Sequence, residues 1–273
     1  MNMDSTGSMS EQSRFEHYLH TGKVLVQLAK RDFLSKYVGS YLGIIWGFIQ
    51  PAMTILILWF VFQVGFKQMP VQDVPFILWL MCGMVPWFFF QEAVSGGTTA
   101  IVDHGYLVKQ VVFRFGFLPI VRIMSAAMVH AVFVVVLLLL FVAYGYNPTL
   151  YALQLLYYFG AMSLFIMGLT LFTSALVVFA RDVGQLIATL LQIWFWITPI
   201  FWPLAIIPDR YQLYLKANPL YYIVNGYREA LIDKTWFWSH PRLGVGYWCV
   251  TFALLGLGIF MFKRLRPHIP DVI

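Results

Sequence analysis

Few side chains in this sequence could carry out proton or ion chemistry inside its long apolar runs. Glu92 stands at the end of one such run, and His130 lies within another. A carrier driven by ions or protons normally places carboxylates inside its apolar segments, so one acid at the end of a run argues against that class. His130 is open to two interpretations: a residue that acts in transport, or an ordinary histidine paired with a neighbouring serine or backbone carbonyl.

The chain has no phosphate-binding loop of its own. In the pattern G-x-x-x-x-G-K-[ST], Gly22 and Lys23 supply the second glycine and the lysine. His17 replaces the first glycine, however, and Val24 replaces the final hydroxyl residue. Any use of ATP therefore requires a second polypeptide, and we predict no cofactor on this chain.

Metal-binding and paired-acid patterns are weak as well. His17 and His20 have a helical spacing, yet no third ligand is visible, and we predict no metal site. A transferase acting on lipid-linked sugars would need paired carboxylates or a metal cluster, whereas Asp32, Asp103 and Asp182 are scattered. That class of enzyme is a distant alternative, and we predict no catalytic residue.

The composition indicates which kind of protein must position these residues. Of the 273 residues, 60% are hydrophobic and 11% are charged, and the mean hydropathy is +0.75. A soluble domain carries about 25% charged residues, so soluble enzymes and disordered proteins are excluded. The net charge of +6 indicates membrane orientation rather than nucleic-acid binding. We predict an all-α polytopic membrane protein.

Runs without Asp, Glu, Lys or Arg predict six transmembrane helices, because each helix needs about 20 apolar residues. The runs are 41–66, 74–91, 123–180, 183–208 and 243–262. The third run has room for two helices, and Gly145–Pro148 is the turn signal that divides them. The predicted spans within domain 41–262 cover about residues 43–65, 76–94, 121–144, 151–179, 184–202 and 243–262.

Lysine and arginine in the connections predict the orientation. With the N-terminus inside, twelve of the 18 basic residues lie on the inner side, which places both termini in the cytoplasm. Residues 1–10 are predicted to be a flexible N-terminus and residues 263–273 a cytoplasmic tail. No cleavable signal peptide is predicted, because residues 1–10 are polar and the first apolar run is too long.

Residues 11–40 precede the first span and are predicted to form a cytoplasmic amphipathic helix on the membrane surface. Phe15, Leu19, Val26, Phe33 and Tyr37 recur at spacings compatible with one helical face, and basic residues occupy much of the remainder. The alternative is a positively charged flank that only fixes the topology.

The segment from Phe201 to Arg242 is long, aromatic and interrupted by four prolines. A free loop would be more polar, so we predict short re-entrant helices that are broken at the prolines. The alternative is an aromatic belt at the membrane interface.

Four motifs carry a resemblance to a known family. Residues 31–51, RDFLSKYVGSYLGIIWGFIQP, resemble the N-terminal signature of permease subunits of ATP-binding-cassette (ABC) exporters of polysaccharides. The segments that match later motifs are HGYLVKQVVF at 104–113 with Leu118-Pro119, RDV at 181–183, and TPIFWP at 198–203 with Asn218-Pro219-Leu220 and Arg228. The chain departs from the family at Arg114, where a proline is usual, and this puts the end of the second motif in doubt.

The resemblance implies a coupling helix that docks into two copies of a cytoplasmic ATP-binding subunit. The residues assigned to this coupling are His104, Tyr106, Leu107, Val108, Lys109 and Gln110. It also implies a homodimer, whose two-fold axis would hold the conduit because six spans are too few to enclose one.

The resemblance further implies a lipid-linked glycan with an anionic phosphate, which needs cationic partners. Arg31 and Lys36 stand where the headgroup would arrive, and Arg228 where it would leave, although each could pair with a nearby acid or lipid instead. The substrate or gate residues are Arg31, Lys36, Tyr37, Ser40, Trp46 and Arg228. Among the aromatics that could line the conduit, Trp46 and Phe48 are preferred near the inner entrance.

The family exports O-antigen, capsule or teichoic acid across the bacterial cytoplasmic (inner) membrane. We favour O-antigen because the first motif is closest to that branch, with capsule and teichoic acid as alternatives.

Overall fold

The computed structural model describes residues 11–36, 38, 41–67, 74–105 and 115–272, and these residues form helices and short connections. The α-helices are α1 (Glu11–Ser35), α2 (Trp46–Trp59), α3 (Phe76–Asp103), α4 (Leu118–Ala143), α5 (Gln154–Phe179), α6 (Asp182–Ile197), α7 (Asp209–Lys216), α8 (Pro219–Arg228), α9 (Pro241–Leu265) and α10 (Ile269–Val272). Helix α2 continues as a π-helix over Phe60–Gly65, and α8 continues over Glu229–Asp233.

Five helical segments are long and apolar enough to cross a membrane, so the predicted count of six is not confirmed. They are Gly43–Gly65, Phe76–Asp103, Leu118–Ala143, Leu150–Phe179 and Pro241–His268. The apolar helix predicted over 184–202 is α6, which has 16 residues. At a rise of 1.5 Å per residue it is about 24 Å long, less than the roughly 30 Å of a hydrocarbon core. It ends early because Thr198 precedes Pro199 and adopts an extended conformation.

Helix α3 is the centre of the molecule. In its most apolar stretch 78% of the residues are buried, compared with 6% in α2. Helices α4, α5, α6 and α8 pack around it. Helix α6 runs antiparallel to α3, since Phe195 contacts Trp87 with ring centroids 5.2 Å apart and Trp194 contacts Phe90 at 5.3 Å.

The turn after α4 follows the signal in the sequence. Helix α4 ends at Gly145, whose φ of +84° is the left-handed conformation that glycine tolerates. The backbone N–H of Tyr146 then donates to the carbonyl of Phe141 at 2.8 Å, which is the hydrogen bond of a Schellman cap. The predicted turn at Gly145–Pro148 is therefore confirmed.

The aromatic segment before α9 consists of short helices, as predicted. Pro208 immediately precedes α7, and Pro219 and Pro241 are the first residues of α8 and α9. Proline suits these positions because the first turn of a helix leaves its N–H groups unpaired. Helix α8 is largely buried against α3 and α5, whereas α7 contains no buried residue.

The residues predicted to form a C-terminal tail fold back onto the helices. Helix α9 runs to Leu265, and a 3₁₀ turn over Arg266–His268 leads into α10. Ile269 is fully buried in a small apolar cluster that includes Ala100, Leu118 and Val178. The end of the chain thus lies beside the C-terminal ends of α3 and α5 and the N-terminal end of α4.

Helices α5 and α9 approach each other closely at two glycines. A Cβ atom at Gly258 would overlap the carbonyl oxygen of Gly168, and one at Gly168 would lie 2.7 Å from the backbone nitrogen of Leu255. Small residues at such crossings let helix backbones come together in a membrane.

We expect Gly258→Ala to lower the stability of the chain, because its methyl group forces the two helices apart. The cost of overpacking is about 1–3 kcal/mol. The matched control is Gly256→Ala on the same helix, where an added Cβ meets no atom within 4 Å. Thermal unfolding in detergent measures both, and an equal melting temperature for the two variants would contradict the packing argument.

Candidate functional site

A cavity of about 830 Å³ lies between α2, α3, α4 and α6. Met84 and Ser95 both line it. They are eleven positions apart on α3, which corresponds to about 16 Å. Because Met84 lies eight residues after the start of α3 and Ser95 eight residues before its end, the cavity runs along the middle part of this helix.

Neutral polar and aromatic side chains dominate the wall of the cavity. The neutral polar ones are Gln50, Thr54, Gln91, Ser95, His130 and Gln192, and the aromatic ones are Trp46, Trp87, Phe88, Phe89, Phe133 and Phe195. Amides and hydroxyls can exchange hydrogen bonds with sugar hydroxyls, and flat rings offer apolar faces. Such a wall suits an uncharged, hydroxyl-rich ligand.

The only charged residues that line the cavity among the described residues are Lys36 and Glu92. Lys36 Nζ donates to Glu92 Oε1 at 2.5 Å. Their side chains are 21% and 51% exposed, so water screens this pair. We call the end of the cavity that is marked by Lys36 and Glu92 the mouth.

His130 is buried in the wall, and its surroundings bear on the question that the sequence left open. Its Nε2 lies 3.0 Å from the hydroxyl of Tyr227 on α8, and its ring packs against Phe89 and Phe159. The partner is thus a tyrosine hydroxyl rather than the serine or carbonyl considered from the sequence, and His130 also lines the cavity. Its role in transport is untested.

An ion network missed by the sequence analysis joins α1 to the spans. The carboxylate of Asp32 is 3% exposed and forms an ion pair with Arg122, whose Nη1 lies 3.2 Å from Oδ1. Arg122 Nη2 also contacts Asp103 Oδ2 at 2.7 Å, and His104 Nε2 lies 3.9 Å from Asp32 Oδ1. Residues far apart in the sequence, on α1, α3 and α4, are brought together here.

Helix α1 presents one stripe of side chains to the spans. Its partly or fully buried positions are Leu25, Leu28, Ala29, Asp32 and Phe33, followed by Lys36 just beyond the helix. Of the residues expected on the apolar face, Phe33 belongs to this stripe, whereas Val26 is 50% exposed. The stripe combines apolar side chains with the buried carboxylate of Asp32, and α1 packs against α4.

The predicted gate residues are only partly assembled. Lys36 and Trp46 both line the cavity, and Arg31 is exposed on α1. Tyr37 and Ser40 lie outside the described residues. Phe48, preferred as a conduit residue, does not line the cavity and packs against Phe133, with ring centroids 5.8 Å apart.

Arg228 does not occupy the exposed position expected of a residue that releases a headgroup. Its side chain is buried and donates to the carbonyls of Pro199 at 2.9 Å and Ile200 at 2.8 Å. Its guanidinium also stacks on Trp79, 3.5 Å from the ring centroid. In this conformation Arg228 ties α8 and the end of α6 to α3, and it offers no free face to a phosphate.

Asn218 supports the same junction. Its Oδ1 accepts a hydrogen bond from Trp194 Nε1 at 2.8 Å and another from the backbone N–H of Leu220 at 3.0 Å. The second of these bonds caps the N-terminus of α8. Its Nδ2 donates to Thr198 Oγ1 at 2.9 Å. The residues of the fourth sequence motif therefore meet at one point in space.

Of the predicted coupling residues, His104 directly follows α3, where its Nδ1 bonds to the carbonyl oxygen of Ala100 at 2.9 Å. The others, Tyr106, Leu107, Val108, Lys109 and Gln110, lie outside the described residues. The ends that flank them, Asp103 on α3 and Arg122 on α4, are bonded to each other.

Comparison with known proteins agrees with this geometry. The chain is 28% identical to the O-antigen export system permease protein RfbA of Myxococcus xanthus over 94% of this chain and 98% of that one. It is 22% identical to the protein of the same name from Klebsiella pneumoniae, over 92% and 95% of the two chains. It is 26% identical to the polysialic acid transport protein KpsM of Escherichia coli, over 77% and 82%.

A family match covers most of the chain. Residues 23–232 match the ABC-2 type transporter family, and this range contains the cavity, the ion network and the junction at Arg228. The chain belongs to the ABC-2 type transporter family of membrane permeases.

Proposed function

We propose that the chain is the transmembrane subunit of an ABC transporter that exports a lipid-linked polysaccharide across the bacterial cytoplasmic membrane. ATP would be hydrolysed in a separate subunit. The observation that carries the proposal is the cavity, whose neutral polar and aromatic wall suits sugar rings and whose mouth holds a lysine. The names of the relatives, which are exporters of O-antigen and polysialic acid, support the same substrate class.

The proposed topology has six crossings and both termini in the cytoplasm. Helix α6 is shorter than a full span, but it lies antiparallel along α3, and the residues after it continue to Phe201, whose ring is 5.3 Å from Phe62 of the first span. Helix α6 together with residues 198–201 would therefore complete the fifth crossing. Helix α8 would lie within the outer leaflet, and α1 on the inner membrane surface.

The phosphate of the lipid carrier would bind at the mouth. Lys36 lines the cavity and Arg31 is exposed on α1 beside it, so two cations are available where a headgroup would enter from the inner leaflet. Tyr37, Ser40 and Trp46 remain proposed gate residues. Arg228 we assign to holding the outer segment together rather than to binding the headgroup.

The assembly would be a homodimer with two ATPase subunits. Helix α2 exposes Met53, Leu56 and Ile57, and the cavity beside it is incompletely enclosed by one chain. A second copy would close the conduit along a two-fold axis. Residues 104–110 would form the coupling helix that contacts the ATPase.

We favour O-antigen as the glycan, because the similarity to O-antigen permeases extends over more of the chain than the similarity to KpsM. Capsular polysaccharide or teichoic acid is the alternative. A membrane-embedded transferase is a more distant one.

Reconstitution tests the proposal. The chain and its ATPase are placed in vesicles that contain a lipid-linked O-antigen or a lipid-linked capsular glycan, and appearance of the glycan on the far side is followed. We expect ATP-dependent translocation that stops without the ATPase or with a non-hydrolysable analogue. Translocation that needs no ATP would contradict the proposal, and the preferred glycan identifies the branch.

A further inference from the structure

Five charged residues at the inner end of the molecule form one chain of alternating sign, which we call the charge chain. In order they are Asp103, Arg122, Asp32, Lys36 and Glu92. Successive charged atoms lie 2.7, 3.2, 4.0 and 2.5 Å apart. The chain starts beside the proposed coupling segment and ends at the mouth of the cavity.

The links differ in strength. Asp32 and Arg122 have side chains that are 3% and 13% exposed, so water competes weakly for their pairing. Lys36 and Glu92 meet where water reaches both side chains, and such a pair contributes little to stability. The charge chain is therefore firm at its buried middle pair, Asp32–Arg122, and more open to water at both ends, where the side chains of Asp103 and Glu92 are 42% and 51% exposed.

The positions of the charges on the helices determine which pairs separate when the helices move. Asp103 and Glu92 are both on α3, so their separation is fixed by one rigid helix. Asp32 on α1 is tied to Arg122 on α4, and Lys36 follows one turn later. When α4 shifts against α3, α1 moves with Arg122 while Asp103 and Glu92 stay on α3. The two pairs that join the charge chain to α3, Arg122–Asp103 and Lys36–Glu92, must then separate, and the second of them lies at the mouth.

We propose that the charge chain couples ATP-driven movement of the segment after α3 to opening of the cavity mouth. The proposal rests on the proposed function, and it deepens it by naming the coupling groups. Asp32 and Arg122 are positioning residues, because they act through Lys36. Once Glu92 is withdrawn, the Lys36 ammonium is available to an anionic phosphate at the mouth. Glu92 thereby keeps the lysine occupied until ATP acts.

A thiol deep in the cavity reports whether the mouth is open. Ala126 lines the cavity and is buried, so Ala126→Cys is reached only through the opening. The exposed Cys249 is replaced by serine, while Cys82 is buried and does not line the cavity. The complex with the ATPase is labelled with a membrane-impermeant maleimide, with and without ATP trapped by a hydrolysis-deficient ATPase. The ratio of the two rates is the measurement, so each variant is its own reference.

We expect the ratio to be several-fold above one in the parent chain and close to one in Asp32→Asn and in Arg122→Gln, where labelling stays slow with ATP. Glu92→Gln is expected to label fast with and without ATP, because Lys36 then keeps only its 4.0 Å contact with Asp32 and is no longer held at the mouth. Lys30→Gln is the matched control, since Lys30 is an exposed cation of α1 outside the charge chain. It should keep the parent ratio.

Each outcome distinguishes the two proposals. A purely structural role for Asp32 and Arg122 would reduce the amount of assembled complex and leave the parent ratio unchanged, and that result would overturn the charge chain. Slow ATP-dependent labelling of Glu92→Gln would overturn it as well, even if the buried variants failed to fold. A parent chain that does not respond to ATP at all would instead refute the proposed ATP-driven opening.

Discussion

Replacement of Ala188 by tryptophan is expected to stop export while leaving the fold intact. Ala188 is exposed on α6 and faces the cavity, so an indole there projects into open space rather than into a packed core. The ring would occupy the path between Gln192 and the mouth. We expect the ATP-dependent export rate to fall at least about tenfold, equivalent to ~1.4 kcal/mol or more in the rate-limiting step.

The control for this prediction is Leu186→Trp. Leu186 is on the same helix and is also exposed, but it does not line the cavity. Export by reconstituted vesicles and the melting temperature in detergent are measured for both chains. Native export by the Ala188→Trp chain would show that the substrate does not pass through this cavity.

Replacement of Arg228 by alanine is expected to have the largest effect on stability. It leaves the carbonyls of Pro199 and Ile200 without their buried donors and removes the cation from Trp79. Each unsatisfied buried acceptor costs about 1–3 kcal/mol, and the lost cation–π contact costs about 2 kcal/mol when desolvated. A total of about 3–5 kcal/mol is expected, since such contributions are not fully additive.

Arg228→Lys should recover only part of this loss. A single ammonium has no planar face to stack on Trp79, and it cannot reproduce the forked guanidinium that reaches both carbonyls. Arg210→Ala is the control, because Arg210 is an exposed cation of the same outer segment. Thermal unfolding and protease cleavage of residues 204–240 in detergent provide the readouts. If Arg228→Ala and Arg210→Ala have the same melting temperature, the buried contacts of Arg228 do not stabilise residues 204–240.

The sequence predicted the helical architecture well because its signals are local. Charge-free runs identify the spans, Gly145 marks a helix end, and Pro208, Pro219 and Pro241 mark helix starts, each through its own backbone preference. The length of α6 was overestimated because the run of apolar residues continues past Pro199, although the proline itself carried the correct signal.

The site was less predictable because its pairings are distant along the chain. Nothing near Asp32 indicates that its partner is Arg122, and the acceptors of Arg228 are backbone carbonyls that have no side-chain signature. From the sequence, a cation in an aromatic segment is equally compatible with an exposed phosphate-binding residue and with a buried residue that bonds to the backbone. Lys36 and Trp46 do line the cavity, because the first motif brings them to the start of a span, and their role as gate residues stays a prediction.

The central position of α3 has a consequence for how the chain is made. Its most apolar stretch has a mean hydropathy of 1.5, the lowest among the five spans found in the described residues, whereas α4, only 28% buried, has 2.9. A helix covered by protein needs less apolar surface than one covered by lipid. Yet α3 leaves the ribosome before α4, α5, α6 and α8 exist to cover it. We therefore expect α3, although apolar enough to cross the membrane, to be held there less firmly until the strongly apolar α4 has followed it.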